Sequence, residues 1–263
     1  MGNHFNEFLN PYGYHLNDTD KGTKLQAVRY SSDTFINSLR DEAILQLLTH
    51  AKFRKQGAFT YSQMLQLAQP TQPDVFRKHL RNLLYNSHLL NRGYLLRCHH
   101  CTLQHWYALA HTTEKTRCAG CRSHLKIPLD ADFAYRANPL FADALRNGGL
   151  SVWLMVNYLR RTIQHNSVIS LCTDIRGQGI DTDMDVIMLC GFGVEDMVFA
   201  ECKDRLPPAS DATLQRQIDS LAAIAKNLNV RAYLATLDAT TDPPDNLPDT
   251  VQFISREMLL TTG

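Results

Sequence analysis

The hydrophobic pattern over residues 41–97 predicts three short helices followed by a turn and a strand. The first helix, DEAILQLLTHA, begins at Asp41, and the second begins at the capping-box sequence TYSQ, which starts at Thr60. The third begins near Pro73, because proline favours the first helical turn, and Gly93 marks the turn into the strand. The apolar face of the third helix consists of Phe76, Leu80, Leu83 and Leu84.

From residue 150 onward the pattern alternates between helices and strands, which predicts an α/β core. A helix over 150–164 precedes a strand over 167–172 and an irregular segment, TDIRGQGIDTD. Two strands, DVIML and MVFAECK, then flank the turn GFGVED and form a central hairpin. A helix capped by Ser210 or Asp211 follows, and the chain continues with the strands RAYLATL and VQFI.

The overall charge is close to neutral but is unevenly distributed. The chain carries 27 Lys and Arg residues against 26 Asp and Glu residues. Residues 41–150 are rich in basic side chains and histidines, whereas residues 151–263 have an excess of acidic side chains. A basic middle part suits a polyanionic partner and an acidic final part suits cations; the alternative is that both are simply the solvated faces of two domains.

The sequence lacks the features of a membrane or secreted protein. No apolar run approaches the roughly 18 residues of a membrane span. The N-terminus has no signal-peptide pattern, and Asn6 breaks the myristoylation pattern. We therefore expect a cytoplasmic protein without a membrane partner, in which Cys172, Cys190 and Cys202 are reduced core residues.

The other four cysteines form two C-x-x-C pairs separated by 16 residues: Cys98, Cys101, Cys118 and Cys121. This spacing is typical of a zinc ribbon, because each pair presents two thiolates and two pairs complete a tetrahedral site. Protein atoms fill all four positions, so the zinc is expected to be structural rather than catalytic. Trp106 and Tyr107, on the intervening hairpin, are expected to cover the metal.

Disulfide bonds or a redox motif would account for the four cysteines less well than zinc does. Disulfides are disfavoured because the chain shows no secretion signal, and a redox C-x-x-C motif does not require two pairs at ribbon spacing. His99, His100 and His105 are alternative ligands, but the four thiolates already complete a site. A zinc ribbon does not by itself disclose function, since ribbons bind nucleic acid, bind protein or stabilise a small subdomain.

The third predicted helix has a basic face opposite its apolar one. Arg77, Lys78 and Arg81 are spaced as neighbours on this face. Three short helices followed by a turn and a strand resemble a winged helix-turn-helix, in which the third helix enters the major groove of DNA. The resemblance implies that these three side chains contact phosphates or bases. A solvated face on a winged helix that only packs or dimerises is the alternative.

The apolar strand MVFAECK contains Glu201 and Lys203, two residue types that a buried strand normally excludes. They lie two positions apart and therefore on the same face of the strand. Folding the hairpin symmetrically about Gly193 places Asp185 roughly opposite Glu201. Two carboxylates and one ammonium group are thus predicted to converge at one end of a buried hairpin.

These groups have the chemistry of a catalytic metal site. Carboxylate oxygens suit a hard cation, so Asp185 and Glu201 are candidate ligands of Mg²⁺ or Mn²⁺, and the carbonyl group between Glu201 and Cys202 is a further candidate. Lys203 could orient or deprotonate an attacking water, or stabilise charge on a phosphate. The alternative is structural, with Asp185 capping a strand and Glu201 and Lys203 forming a semi-buried ion pair.

The pattern D-x(15)-E-x-K, formed by Asp185, Glu201 and Lys203, resembles the PD-(D/E)XK restriction-endonuclease-like nucleases. The hydrophobic strands, the short turn between them and the following amphipathic helix match as well. The resemblance covers residues 150–263 and implies a mixed four-stranded sheet flanked by helices. It also implies metal-dependent hydrolysis of a phosphodiester, with Gln217 near the catalytic site.

Two features depart from this family pattern. Met184 replaces the Pro that often precedes the first Asp, and the helix over 150–164 carries no acidic residue, Asn157 being its nearest polar candidate. These departures leave open whether the site holds one metal ion or two. Asp183 and Asp174 are candidates for a further oxygen ligand.

The complete prediction is a mixed α+β fold with a restriction-endonuclease-like α/β core in its last part. The expected parts are an unassigned N-terminal segment at 1–40, a winged-helix-like domain at 41–97, a zinc ribbon at 98–127, a connecting helix at 128–149 and a nuclease-like domain at 150–263.

The leading functional hypothesis is a Mg²⁺- or Mn²⁺-dependent endonuclease of restriction or phage-defence type, acting on DNA rather than RNA. The basic middle part would deliver DNA to the acidic final part, whose own charge repels phosphates. A protein partner or a homo-oligomer is expected to gate the activity, because the chain has no recognisable switch. The alternative is a zinc-containing nucleic-acid-binding regulator or assembly subunit with a catalytically silent nuclease fold.

Overall fold

The computed structural model describes residues 2–27, 33–128, 130–163, 167–208, 210–239 and 242–261. The chain divides into two compact units. Unit 1 combines Met1–Ser31 with Asn147–Gly263, and unit 2 consists of Ser32–Arg146. Unit 1 is therefore built from both ends of the chain, and unit 2 is inserted between them.

The strands of the described residues are β1 (His15–Asn17), β2 (Phe59–Thr60), β3 (Leu90–Arg97), β4 (Gln104–Ala108), β5 (Phe133–Ala137), β6 (Val168–Gly177), β7 (Ile180–Leu189), β8 (Met197–Lys203), β9 (Arg231–Thr236) and β10 (Val251–Ile254).

The helices of the described residues are α1 (Gly2–Leu9), α2 (Asp20–Ala27), α3 (Asp33–Leu39), α4 (Glu42–Thr49), α5 (Ala51–Arg54), α6 (Tyr61–Ala68), α7 (Pro73–Arg81), α8 (Pro139–Arg146), α9 (Gly149–Thr162), α10 (Ala212–Leu228) and α11 (Arg256–Leu260). The α7 helix continues into one π-helical turn, Asn82–Asn86. Within the described ranges, every helix is too short or too polar to cross a bilayer.

Unit 1 contains a six-stranded mixed sheet with the strand order β1-β6-β7-β8-β9-β10. Within this sheet, β1 pairs with β6, β6 with β7 and β7 with β8 in antiparallel orientation. The strand β9 pairs with β8 and with β10 in parallel orientation. The expected mixed sheet is therefore confirmed, although it has six strands where the family resemblance implied four. The additional edge strands are β1 and β10.

In the core of unit 1, the sheet packs against α10. Ile187 of β7 and Phe199 of β8 share one buried cluster with Leu214, Ile218 and other residues of α10. The predicted start of α10 is confirmed, because the carboxylate of Asp211 accepts hydrogen bonds from the first backbone N–H groups of the helix. The largely buried α9 packs against β7, β8 and β9 with side chains that lie outside this cluster.

The N-terminal segment, which the sequence pattern left unassigned, contributes β1 and α2 to unit 1. In the sheet, β1 pairs with β6, so that His15 lies opposite Arg176 and Asn17 lies opposite Asp174. The strand is only three residues long and its partner is far along the chain, so no local periodicity could have indicated this pairing.

The segment TDIRGQGIDTD was predicted to be irregular, and this prediction is wrong. It forms the end of β6, a tight turn and the start of β7, with Ile175 opposite Thr182 and Gly177 opposite Ile180. Alternate residues face solvent and carry charges, such as Arg176, which pairs with Asp181 at 3.1 Å. Because one face of this antiparallel hairpin is solvated, its sequence is polar enough to be mistaken for that of a loop.

Unit 2 contains a four-stranded antiparallel sheet with the order β2-β5-β3-β4. The predicted capping box of α6 is confirmed, since Thr60 and Gln63 exchange hydrogen bonds, and Pro73 lies in the first turn of α7 as expected. The segment predicted at 128–149 contains its connecting helix as α8, which begins at Pro139, but also the strand β5, which the sequence did not predict.

Candidate active site and cysteine cluster

The sheet of unit 1 brings Asp185 and Glu201 together where the pairing of β7 with β8 ends, in the middle of β7 and near the end of β8. The register pairs Val186 with Ala200, and the next residue outward on each strand is one of the two carboxylates. Both are buried, with exposed fractions of 2% for Asp185 and 1% for Glu201. Two neighbouring buried carboxylates carry a large desolvation cost unless other groups offset it.

Lys203 offsets part of this cost. Its Nζ lies 2.5 Å from Oε1 of Glu201. Burial, together with the negative charge of Asp185, raises the pKa of Glu201 well above its ordinary value, although Lys203 opposes this shift. Burial lowers the pKa of Lys203, but the carboxylates of Glu201 and Asp185 outweigh that effect and the net shift is upward. Lys203 is therefore a charged partner at neutral pH.

A second ammonium group comes from the N-terminal segment. Lys21, in the first turn of α2, places its Nζ 2.9 Å from Oδ1 of Asp185. Burial lowers the pKa of Lys21, but Asp185 and the other acidic neighbours outweigh this and raise the pKa above its ordinary value. Two carboxylates are thus matched by two ammonium groups. Sequence reasoning missed Lys21, because its only link to the site is a contact across 164 residues.

A distortion in β6 accommodates α2 beside the site. The backbone of Cys172 has a φ of 44°, in the left-handed region that residues other than glycine seldom adopt. The hydroxyl group of Thr19 donates a hydrogen bond to the carbonyl oxygen of Cys172. A Cβ atom at Gly22 would collide with the carbonyl oxygen of Leu171, so glycine is required for this close approach.

Asp185 also ties neighbouring strands together. Its Oδ2 accepts a hydrogen bond of 2.9 Å from the backbone N–H of Cys202 on β8, and its Oδ1 lies 3.4 Å from the thiol of Cys172 on β6. The carboxylate is therefore fixed by groups from two strands in addition to Lys21. Fixed side chains with a defined charge environment are typical of catalytic sites.

An open cavity of about 780 Å³ adjoins this group of charges. Lys21, Asp183 and Gln217 are among the residues that line it. Nε2 of Gln217 lies 3.4 Å from Oδ1 of Asp183. Because β7 begins at Ile180, earlier than the predicted strand, Asp183 lies on the same strand as Asp185. Gln217 thus faces the cavity but contacts Asp183 rather than the buried carboxylates.

The donor chemistry of Asp185 and Glu201 fits Mg²⁺ or Mn²⁺. Magnesium in proteins is commonly held by one or two carboxylates, with water and substrate phosphates completing its shell. Among the described residues, these two carboxylates do not belong to a larger group, since the four cysteines are the one set of three or more candidate ligands within 4.8 Å. A cation at Oδ1 of Asp185 would also compete with Lys21.

The four cysteines converge as the spacing predicted. In unit 2, the sulfur atoms of Cys98 and Cys121 lie 3.6 Å apart, those of Cys101 and Cys118 lie 3.5 Å apart, and all four lie within 4.8 Å of one another. Four thiolates at about 2.3 Å from one zinc ion would be separated by roughly 3.8 Å. The cluster therefore has the dimensions of a tetrahedral zinc site.

Hydrogen bonds from Ser123 lower the pKa of two of these thiols, Cys98 and Cys121, and so prepare them for metal binding. The hydroxyl group of Ser123 and nearby backbone N–H groups lower the pKa of Cys98 to about 5. The N–H of Leu103 lowers the pKa of Cys101, but the adjoining thiols outweigh it and raise that pKa to about 11. The thiolate is the form that binds a metal ion, so Cys98 is better prepared for this than Cys101.

One of the two aromatic residues expected to cover the cluster does so. Tyr107 packs against the buried cluster residues, and its Oη accepts a hydrogen bond of 2.9 Å from the N–H of Ala119. Trp106 lies on the other face of β4, where its indole N–H donates to the carbonyl oxygen of Ala134. Successive side chains of a strand point to opposite faces, so only one of the two could cover the metal.

The basic residues predicted to contact nucleic acid lie on the exposed face of α7. Phe76 and Leu80 are buried on the opposite face, as the pattern predicted. Arg77, Lys78 and Arg81 are exposed. Their contact with nucleic acid stays a prediction.

No family model and no curated protein matches this chain. Among solved structures, the chain is similar to Can2 from Sulfobacillus thermosulfidooxidans, solved in complex with cyclic tetra-adenylate (cA4), with a TM-score of 0.43 and 13% sequence identity. The similarity covers 95% of this chain but 56% of the Can2 chain, so this chain spans little more than half the length of that relative. A similarity of this degree does not transfer a ligand or an activity.

Proposed function

We propose that this chain is a metal-dependent phosphodiester hydrolase of the PD-(D/E)XK type, and that its substrate is DNA. The proposal rests on one observation above others: two adjacent carboxylates and two lysines are gathered, largely buried, where the pairing of β7 with β8 ends, beside an open cavity. A merely structural ion pair between Glu201 and Lys203 does not account for Asp185 and Lys21.

Each residue has a role that its position supports. Asp185 and Glu201 would hold Mg²⁺ or Mn²⁺, which when bound polarises the phosphate and lowers the pKa of a coordinated water. Lys203, fixed by Glu201, would orient the attacking water and stabilise negative charge on the phosphate. Lys21 has a partly exposed side chain, so it can pass from Asp185 to a substrate phosphate.

Gln217 has a positioning role in this proposal. Its side chain lines the cavity beside Lys21 and already reaches Asp183 at 3.4 Å. A neutral amide at this place can hold a water or a phosphate oxygen without adding charge. We therefore expect a smaller loss of activity on replacing Gln217 than on replacing Glu201.

The order of elements in unit 2 supports the winged-helix part of the proposal. After α4 come α5, the short strand β2, then α6 and α7, and then β3, β4 and β5; in the sheet, β3 pairs with both β4 and β5. Short helices followed by strands resemble a winged helix-turn-helix, in which α7 would be the recognition helix and β3 and β5 the wing. The cysteine cluster lies within the connection between β3 and β5, so a zinc ion would stabilise the end of the wing.

Unit 2 would supply the affinity for DNA. Arg77, Lys78 and Arg81 form an exposed basic face on the third helix of the proposed winged helix. Unit 1 has many acidic residues and by itself repels a polyanion, so a basic unit on the same chain raises the local concentration of DNA at the site. A protein partner or a second copy of the chain remains our proposal for the gate on activity.

The test is cleavage of supercoiled plasmid DNA and single-stranded RNA with added Mg²⁺ or Mn²⁺. We expect the wild type to cut DNA, and Glu201→Gln, which keeps the shape of the side chain, to lose at least about a hundredfold in rate. Glu195→Gln is the matched control, since Glu195 is an exposed acid of the same unit. Equal activity of the wild type and Glu201→Gln would contradict the proposal.

A second candidate function is nucleic-acid binding with a catalytically silent nuclease fold. The observation that favours it is the ammonium group of Lys21 on Asp185, where a metal ion would need a free oxygen. Isothermal titration of Mn²⁺ separates the two functions. Binding by the wild type that Glu201→Gln abolishes supports the hydrolase, whereas absence of binding together with absence of cleavage supports the silent fold.

A further inference from the structure

A second cavity lies wholly within unit 2, against the basic helix. Its volume is about 500 Å³, which falls in the range of roughly 300–1,000 Å³ that is usual for small-molecule sites. It is formed by α6, α7, the π-helical turn, β3 and β5, and its lining includes Tyr61, Arg77, Arg81, Tyr85, Leu90 and Tyr135. The cavity therefore combines three tyrosine rings with two arginines.

The aromatic side chains are placed to meet a ligand. Tyr85 is 52% exposed, although its ring is large and apolar. It lies on the π-helical turn, a rare geometry that occurs frequently at functional sites. The hydroxyl group of Tyr61 is buried and has no hydrogen-bond partner among the residues that the structure describes. A buried hydroxyl without a partner is a costly arrangement that a ligand group can relieve.

The aromatic surface continues from the cavity onto the sheet. The Arg92 guanidinium donates a hydrogen bond to Oη of Tyr85 and lies 4.7 Å from the ring centroid of Phe133. Phe133 is itself 39% exposed and packs against the ring of Tyr94 at 5.2 Å. Exposed rings alternating with arginines form a surface on which flat bases stack.

Two cations at the cavity have little competition from acidic partners. Arg77 lies over the ring of Tyr61, with 5.3 Å between its Cζ and the ring centroid. Its acidic neighbour Asp74 is 3.4 Å away and almost fully exposed, and such surface pairs contribute little. Arg81 has no acidic partner among the described residues. The cavity therefore favours an anionic ligand over a neutral apolar one.

We propose that this cavity binds a nucleotide unit, with an unpaired base against the tyrosine rings and its phosphate on Arg77 and Arg81. The nucleotide belongs to a single strand or is free in solution; both present the same base and phosphate. This site goes beyond the proposed hydrolysis in unit 1 and beyond duplex contact by α7. A duplex alone would engage the arginines but leave the tyrosine rings without a base.

The test measures binding of a fluorescein-labelled single-stranded oligothymidylate of about ten nucleotides by fluorescence anisotropy. No magnesium or manganese is added, so the result does not depend on hydrolysis. We expect Tyr85→Ala to weaken binding by about 5- to 150-fold, the range for loss of one stacked base, and Tyr85→Phe to restore it. Arg81→Ala should lower the slope of log affinity against log salt by about one.

The controls separate the outcomes. Lys115→Ala removes an exposed positive charge elsewhere in unit 2 and should leave unchanged the loss of affinity that Tyr85→Ala causes.

Competition by adenosine monophosphate would identify a site for free nucleotides, and failure to compete would identify a site for a strand; both support the proposal. Equal affinity for a duplex of the same length, with no effect of Tyr85→Ala, would overturn it, as would absence of single-strand binding. Far-ultraviolet circular dichroism of each variant checks that the fold is retained.

Discussion

The two sites of this chain are assembled in different ways. The cysteine cluster of unit 2 comes from one stretch, in which the first and last ligands are 23 residues apart. The charged site of unit 1 joins Asp185, Glu201 and Lys203 on a hairpin to Lys21, which lies 164 residues before Asp185. A local site is visible in the sequence, whereas a site closed by a distant segment is visible only in part.

The two sites also differ in how they are stabilised. Four thiols within 4.8 Å would gain their favourable energy from a bound metal ion, because metal-bound thiolates would hold the turns together. In unit 1, the two carboxylates are already matched by two ammonium groups, so the fold does not require a metal. Metal is therefore expected to be structural in unit 2 and optional for folding in unit 1.

The largest expected effect is loss of the cysteine cluster. Cys98→Ser should remove the zinc and unfold the region around β3 and β4, because structural zinc sites contribute on the order of 10–16 kcal/mol to folding. Atomic emission spectroscopy measures the loss of zinc, and amide hydrogen exchange measures the unfolding. Cys190→Ala is the control: it changes a buried cysteine of unit 1, so zinc should stay bound at the cysteine cluster of unit 2.

A strong chelator provides the same comparison without a mutation. Amide exchange should rise in β3 and β4 but stay low in β7 and β8, since the lysines already balance the carboxylates there. Equal protection of β3 and β4 before and after zinc removal would show that the cluster has no structural role. Loss of protection in β7 and β8 would show that unit 1 also depends on a metal.

Replacing Lys21 should have the next largest effect. Lys21→Met removes the cation that competes for Oδ1 of Asp185, so Mn²⁺ affinity should rise by about 10- to 100-fold while cleavage slows. Calorimetric titration and plasmid cleavage measure the two changes. Lys24→Met is the matched control, as an exposed lysine of the same helix. Weaker Mn²⁺ binding by Lys21→Met would instead mean that Lys21 supports the metal site.

Gly22→Ala should also raise the Mn²⁺ affinity and slow cleavage, but by less than Lys21→Met does. The new Cβ would meet the carbonyl oxygen of Leu171 and displace α2 together with Lys21, at a cost of about 1–3 kcal/mol. Because Gly22 is expected to act through Lys21, the double variant should bind Mn²⁺ like Lys21→Met alone. Additive effects would show that Gly22 influences the site by another route.

The smallest effect is expected at the cover of the cysteine cluster. Tyr107→Phe removes the hydroxyl group that accepts from the N–H of Ala119, which should destabilise unit 2 by about 1 kcal/mol without loss of zinc. Thermal unfolding and zinc content measure this. Loss of zinc in Tyr107→Phe would mean that the hydroxyl group holds the second cysteine pair in place.

The sequence predicted best where the signal was local. The capping box at Thr60, the cap at Asp211 and the four-cysteine cluster depend on residues close together in the chain, and the structure contains all of them. The strand FAYRA was not predicted, since it is stabilised as β5 by pairing with β2 and β3. Cross-strand pairing leaves no periodic signal in a segment this short.

The sequence by itself determined the hairpin that presents Asp185 and Glu201, because two apolar strands flank a short turn, and folding about Gly193 places the two carboxylates opposite each other. Only the tertiary structure decided the second half of that site. Lys21 reaches Asp185 because β1 pairs with β6 and because Gly22 allows α2 to approach the distorted backbone at Cys172. Such contacts depend on backbone geometry between distant segments, which spacing along the chain does not encode.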